Sequence, residues 1–171
     1  MWESSEYRFR KNIKEDIEMA IELSKEIKEL FSNKSSLKAL ASTDTEGVPH
    51  LVFKDSFHIN DDGKIVYLEI IETSKTNKNL VSSIWFNKKV AINILAEDKR
   101  SYQIKGTPIK AIISGKIFEK YYREVQEKFG DWDLSTAWVI EPEEVREETF
   151  SVRRVTEEKE HLILRHLDRV K

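Results

Sequence analysis

The chain has 171 residues, no cysteine, 35% charged residues and a formal net charge of -2. That length suits one domain that buries roughly two-thirds of the surface its unfolded form exposes. The missing cysteine excludes a disulfide framework, a thiolate metal site and a cysteine nucleophile. The near-neutral balance argues against binding nucleic acid through a strong positive field.

No apolar run approaches the ~20 residues that cross a membrane. The first residues, Met1 to Glu6, are too acidic and polar for a secretion leader. A cytoplasmic protein is expected.

Residues 9–31 carry Phe9, Ile13, Ile17, Ala20, Ile21, Ser24, Ile27, Leu30 and Phe31 at three- and four-residue spacing, which predicts an amphipathic helix. From Leu37 the period changes to two. A first strand runs to Thr43 and ends in Asp44-Thr45-Glu46-Gly47. A second follows Pro49 and lasts to Ile59, with Leu51, Phe53, Phe57 and Ile59 on its apolar face. The turn Asn60-Asp61-Asp62-Gly63 leads to a third strand, Ile65 to Ile71. Residues 76–87 return to helical spacing, with Leu80, Val81, Ile84 and Trp85 on one side.

Val90 to Leu95 is a fourth strand, and Tyr102 to Ile113 a fifth, with a bend expected near Gly106 and Pro108. Phe118, Tyr121, Tyr122, Val125 and Phe129 mark another amphipathic helix, stopped by Gly130. Ala137 to Ile140 is strand-like; Pro142 breaks it or places it at an edge, and Val145 to Val152 continues the sheet. The expected class is α+β, mainly β: five or six mostly antiparallel strands in a small barrel with flanking helices. Its parts are an N-terminal helix packed on the barrel (1–36), a core (37–152) and a charged tail (153–171).

The four histidines form no tight ligand pair. His50 and His58 lie roughly 26 Å apart along a strand, so no metal site is expected. Phosphate-binding glycine motifs and a Gly-x-Ser-x-Gly elbow are absent. The segment Glu72 to Leu80 is different. It gathers Thr73, Ser74, Lys75, Thr76 and Lys78 where a helix begins. Free amides and partial positive charge there can hold a phosphate; alternatively Ser74 or Thr76 merely caps the helix. Asp55 shares the parity of an apolar face and needs a partner or a purpose, unless a bulge turns it outward. Lys54 and Ser56 beside it could donate to a ligand lying on the sheet.

The order of these pieces resembles the pyridoxamine 5'-phosphate oxidase-like family of flavin-binding split barrels. The likeness is carried by Ala39 to Asp44 ahead of Gly47-Val48-Pro49-His50, by Asp61-Asp62-Gly63 with Ile65-Val66-Tyr67, and by Ser74-Lys75-Thr76 with Asn79-Leu80. It continues through Asn87 to Ala91, Tyr102 to Gly106 and Trp138 to Pro142, and so covers roughly 37–150.

The resemblance implies FMN as cofactor, with Thr73, Ser74, Lys75, Thr76 and Asn79 around its phosphate. Lys54, Asp55 and Ser56 would face the ring and ribityl chain, with Lys54 near the N1–C2=O edge. Gln103 matches a glutamine that contacts flavin, and Trp138 an aromatic that reaches the cofactor from the partner subunit. It also implies a homodimer with the cofactor at the subunit interface, acting on a small-molecule substrate or electron donor.

Val52 stands where true pyridoxamine phosphate oxidases carry an arginine, and Phe57 where they carry a substrate-binding lysine. Arg165 to Arg169 lies at the wrong place for their C-terminal substrate motif. Activity on vitamin B6 phosphates is therefore not expected. The expected function is a flavin-dependent oxidoreductase. The alternatives are a non-catalytic flavin carrier or sensor, and the same barrel holding a deazaflavin or heme. A module that binds no ligand would be colourless.

Overall fold

The structure, a computed structural model, describes residues 21–161. Seven strands form one antiparallel sheet in the order β2-β1-β5-β6-β7-β4-β3. They are β1 (Leu37–Thr43), β2 (Pro49–Phe53), β3 (Phe57–Ile59), β4 (Ile65–Glu69), β5 (Val90–Leu95), β6 (Ser101–Ile112) and β7 (Thr136–Glu147). Among the described residues four helices flank the sheet: α1 (Lys25–Ser32), α2 (Lys75–Phe86), α3 (Gly115–Phe129) and α4 (Phe150–Glu160).

The strand order explains the shape. β2 and β3 follow each other in the chain yet occupy opposite edges of the sheet. Only Lys54, Asp55 and Ser56 join them, so the sheet must curl until its edges nearly meet. The Lys54 amide donates to the Lys38 carbonyl on β1, and the Leu68 amide on β4 donates to the Ser56 carbonyl. The result is a split barrel of mainly β, α+β class. Its inner face buries Leu40, Tyr67, Ile92, Ile94, Ile104 and Trp138 against Leu23, Ile27, Leu30 and Phe31. A second cluster forms where Tyr121 and Val125 of α3 cover Val66, Leu68 and Val139 on the outer face.

The expected strand over 49–59 is two strands, and its apolar face is divided. Phe57 is 5% exposed, but Leu51 and Phe53 are 65% and 71% exposed. Leu51 lies opposite Ala41 and Phe53 opposite Ala39, on the outside of the sheet. The three-residue break moves the chain from one edge to the other without changing its alternation, so period two cannot reveal it. The same break presents Asp55 to solvent.

The expected helix over 9–31 is not continuous in its described part. Residues 21–24 are not helical. Ser24, placed by its spacing on the apolar stripe, is the N-cap: its side chain accepts from the Ile27 amide. The earlier part of that helix lies outside the described residues.

Helix α2 buries a polar face instead of the expected apolar one. Leu80 is buried, but so are Thr76, Asn77, Asn79 and Ser83, while Val81, Ile84 and Trp85 are exposed. The buried amides are satisfied: Trp138 Nε1 donates to Asn77 Oδ1 at 2.9 Å, and Asn79 Nδ2 to Ser42 Oγ at 3.0 Å.

The bend near Gly106 and Pro108 is present as a pair of register shifts between β6 and β7. Pro142 does not interrupt β7. It lies opposite Gly106 at one of those shifts, where the ladder needs no donor from it. The sheet ends at Glu147, however, and Phe150–Glu160 is helix rather than further strand. Ser101 completes the ladder by taking the Glu148 amide and donating its own amide to Thr149 Oγ1. Helix α3 stops at Gly130, whose φ of 72° suits glycine. Among the described residues no helix is long and apolar enough to cross a membrane.

Candidate functional site

The break between β2 and β3 opens onto a cavity of about 920 Å³. Lys54, Asp55 and Ser56 form one wall. The C-terminal end of α1, the chain from Tyr67 on β4 to Ile71 beyond it, and Phe129 at the end of α3 with Trp132 after it form the others. The volume lies within the range of small-molecule sites.

Glu69 organises the wall nearest α2. It is 2% exposed at the end of a strand buried throughout. Its carboxylate accepts from Tyr67 OH at 2.6 Å, from Ser74 Oγ at 2.7 Å and from the Ile71 amide at 3.0 Å. Lys54 Nζ stands 3.6 Å away and 5.2 Å over the Tyr67 ring. A buried carboxylate needs such donors. Burial, then the bond to Glu69, pushes the Tyr67 phenol up, so it stays a donor.

Through Ser74 this network reaches the start of α2. Ser74 is the N-cap: its side chain accepts from the Asn77 amide at 2.9 Å while its hydroxyl donates to Glu69. Helix geometry leaves the Lys75 and Thr76 amides without acceptors in the helix. Lys75 Nζ bonds Asp44 at 3.0 Å. That bond, followed by the Val48 amide, holds the Asp44 carboxyl below the usual carboxylate range. Thr76 Oγ1 is buried and lies 3.3 Å from His50 Nε2. Thr73 is exposed beside them.

The ten expected cofactor residues therefore fall into three groups. Lys54, Asp55 and Ser56 line the cavity, and Ser56 Oγ is bonded to the Leu68 carbonyl at 2.6 Å. Thr73, Ser74, Lys75 and Thr76 cluster at the start of α2, one hydrogen bond from the cavity through Glu69. Asn79, Gln103 and Trp138 join neither group. Asn79 is buried against Ser42. Gln103 lies on the outer sheet face between Asn93 and Arg146. Trp138 is 1% exposed in the barrel core.

Glu69 and Lys38 are among the cavity residues that escaped the sequence analysis. Glu69 reads as the polar end of a strand. Lys38, on β1, reads as a solvent-facing lysine, yet it is 4% exposed and part of the cavity wall. Its Nζ donates to the Asn33 carbonyl at 2.9 Å and the Ser36 carbonyl at 3.1 Å. Burial depresses its pKa from the lysine value, Asp55 opposes this, and the charge of Lys128 adds to it. His58 also lines the cavity, its ring 5.1 Å from that of Tyr121. Desolvation, then Lys120 and Lys128, lowers its pKa to about 4. It is neutral at pH 7. No cluster of three metal-ligating side chains occurs among the described residues.

No family model and no curated protein sequence matches the chain. Solved structures do match its fold. HupZ of Group A Streptococcus superposes with a TM-score of 0.63 at 22% identity, over 75% of this chain and 95% of that one. A pyridoxamine 5'-phosphate oxidase-like protein of Lactobacillus delbrueckii gives 0.57 at 22% identity, over 73% and 93%. An FMN-binding protein of Syntrophomonas wolfei gives 0.58 at 12% identity, over 86% and 99%. The heme storage protein HutZ of Vibrio cholerae gives 0.50 at 18% identity, over 74% and 95%. The fold of this chain is that of the pyridoxamine 5'-phosphate oxidase-like split barrels.

Proposed function

We propose that the chain is an FMN-binding, oxidoreductase-like protein whose cofactor lies along the break between β2 and β3. The carrying observation is the continuity of the cavity wall at Lys54 to Ser56, through Glu69 and Ser74, with the start of α2. In this arrangement the free Lys75 and Thr76 amides and the Lys75 ammonium hold the phosphate. Lys75 must exchange Asp44 for it, and the Glu46 and Val48 amides remain as donors to the Asp44 carboxylate. Lys54 stands where it can stabilise negative charge on the ring edge. Bound flavin would supply hydride or electron transfer; the protein binds, orients and excludes water. The fold shared with an FMN-binding protein supports this assignment.

The sheet exterior supports a homodimer. Leu37, Leu51 and Phe53 are exposed on the outer faces of β1 and β2. Phe53 also lines the cavity. A second copy covering this patch would close the cavity rim.

One observation favours a second reading. Ser74 and Lys75 already have carboxylate partners in Glu69 and Asp44, so a ligand without a phosphate at α2 would disturb neither. The heme storage protein with this fold makes heme such a ligand, and a carrier role would follow. The visible spectrum separates the two. Protein mixed with FMN and then desalted should keep flavin absorbance. A heme spectrum as isolated, or a colourless desalted protein, would overturn the FMN assignment. Rapid reduction of bound flavin by NADH or NADPH would exclude a passive carrier.

A further inference from the structure

The cavity has a second end, away from α2, where lysines outnumber carboxylates among the described residues. Four lysines line the cavity, Lys34, Lys38, Lys54 and Lys128, against two carboxylates, Asp55 and Glu69. Glu69 is committed to Lys54, Tyr67 and Ser74. Asp55 is exposed. Among the described residues no carboxylate lies within ion-pair distance of Lys38. An ammonium has three donors, and the Asn33 and Ser36 carbonyls take two. One donor of a buried cation remains, with Lys34 and Lys128 exposed at the rim to raise the positive potential. Burying an unpaired charge is costly unless something compensates it.

The walls beside Lys38 are aromatic. Phe129 and Trp132 are stacked, their ring centroids 4.7 Å apart and their planes 12° from parallel. Lys128 Nζ lies 5.0 Å over the Phe129 ring. Trp132 is exposed, so the pair has a face to offer a third ring. Phe53, on the neighbouring strand β2, also lines the cavity.

We propose that this end of the cavity is a subsite for a flat aromatic carboxylate, held beside the cofactor by the remaining Lys38 donor and by stacking on Phe129 and Trp132. One spare donor on one buried cation suits a monoanion better than a phosphate dianion, which needs several donors. As a substrate site it rests on the flavin assignment above; as a binding site it does not.

The test is calorimetric titration of the full chain, without and with FMN, using 2-naphthoate and its neutral counterpart 2-naphthamide. Naphthoate should bind the wild type about tenfold or more tighter than naphthamide, as expected for one charge-assisted hydrogen bond to a buried cation. Lys38→Met should abolish that preference and leave naphthamide binding unchanged. Lys128→Met, at the exposed rim, should fold normally and reduce the preference severalfold; it serves alone should Lys38→Met fail to fold.

Equal binding of the two probes by the wild type would overturn the subsite. So would an undiminished preference in Lys128→Met or in folded Lys38→Met. Loss of the preference with FMN still bound removes the subsite alone. A preserved preference without FMN binding removes the flavin assignment alone.

Discussion

At the scale of single residues, the site depends on charges in unusual places. Glu69 is a buried carboxylate with three hydrogen-bond donors and a lysine nearby, and Lys38 a buried ammonium on two carbonyls. Neither is distinguishable in sequence from a strand's solvent face, because burial by another element leaves no local mark. His58 gives the clearest pH signature. Its folded pKa of about 4 lies below the ordinary histidine value of 6.5. The folded state thus binds the proton less well than the unfolded one. The stabilisation is full above pH 6.5 and is lost as pH falls toward 4. Integrated over that window it amounts to about 3 kcal/mol at most. Urea unfolding of wild type and His58→Phe between pH 7 and 4 checks this. The wild type should lose stability across the window, and the variant, which keeps the ring against Tyr121, should lose distinctly less. Parallel losses would show that His58 is not held neutral.

At the scale of elements, some boundaries were legible and others were not. Gly63 and Gly130 marked the β3–β4 turn and the end of α3, because positive φ selects glycine in sequence and structure alike. The bend of β6 was legible from Gly106 and Pro108 for another reason: a side chain at Gly106 would collide with the Glu141 carbonyl, and Pro108 has no amide to give the ladder. The β2–β3 break was not. Lys54-Asp55-Ser56 preserves the alternation of Leu51, Phe53, Phe57 and Ile59 while carrying the chain to the far edge of the sheet. Apolar residues on an outward face then look like core.

Helix α2 misleads in the opposite sense, since its buried side chains are amides and hydroxyls that satisfy one another. Its N-cap carries a second duty. Ser74→Ala removes a cap worth about 1 kcal/mol and leaves the buried Glu69 short of a donor, which adds about 1–3 kcal/mol. Urea unfolding should therefore show a loss of about 2–4 kcal/mol with an unchanged slope. A loss below about 0.5 kcal/mol would mean that Glu69 does not need Ser74.

At the scale of the whole molecule, the barrel is split where its edges meet, and the cavity, the basic wall and the exposed apolar strands converge there. The single chain leaves Leu51 and Phe53 uncovered beside the cavity. Light scattering after size exclusion should give a dimer for the wild type and a monomer for Leu51→Lys, which puts a charge in the centre of the patch without touching the cavity wall. The monomeric variant should hold FMN severalfold more weakly. A Leu51→Lys variant that remains dimeric would place the interface elsewhere, with the Val81, Ile84 and Trp85 face of α2 the next candidate.

The resemblance read from residue order extends to the fold of the described chain. The residues expected around the phosphate and ring form two neighbouring groups, with Asn79, Gln103 and Trp138 outside them. The most direct test of this account is FMN affinity, measured by quenching of flavin fluorescence on wild type and Lys75→Ala side by side. The account predicts saturation at one FMN per chain and a weakening of about tenfold in the variant, the effect of one charge-assisted phosphate contact. No saturation by the wild type, or equal affinity in the variant, would contradict it.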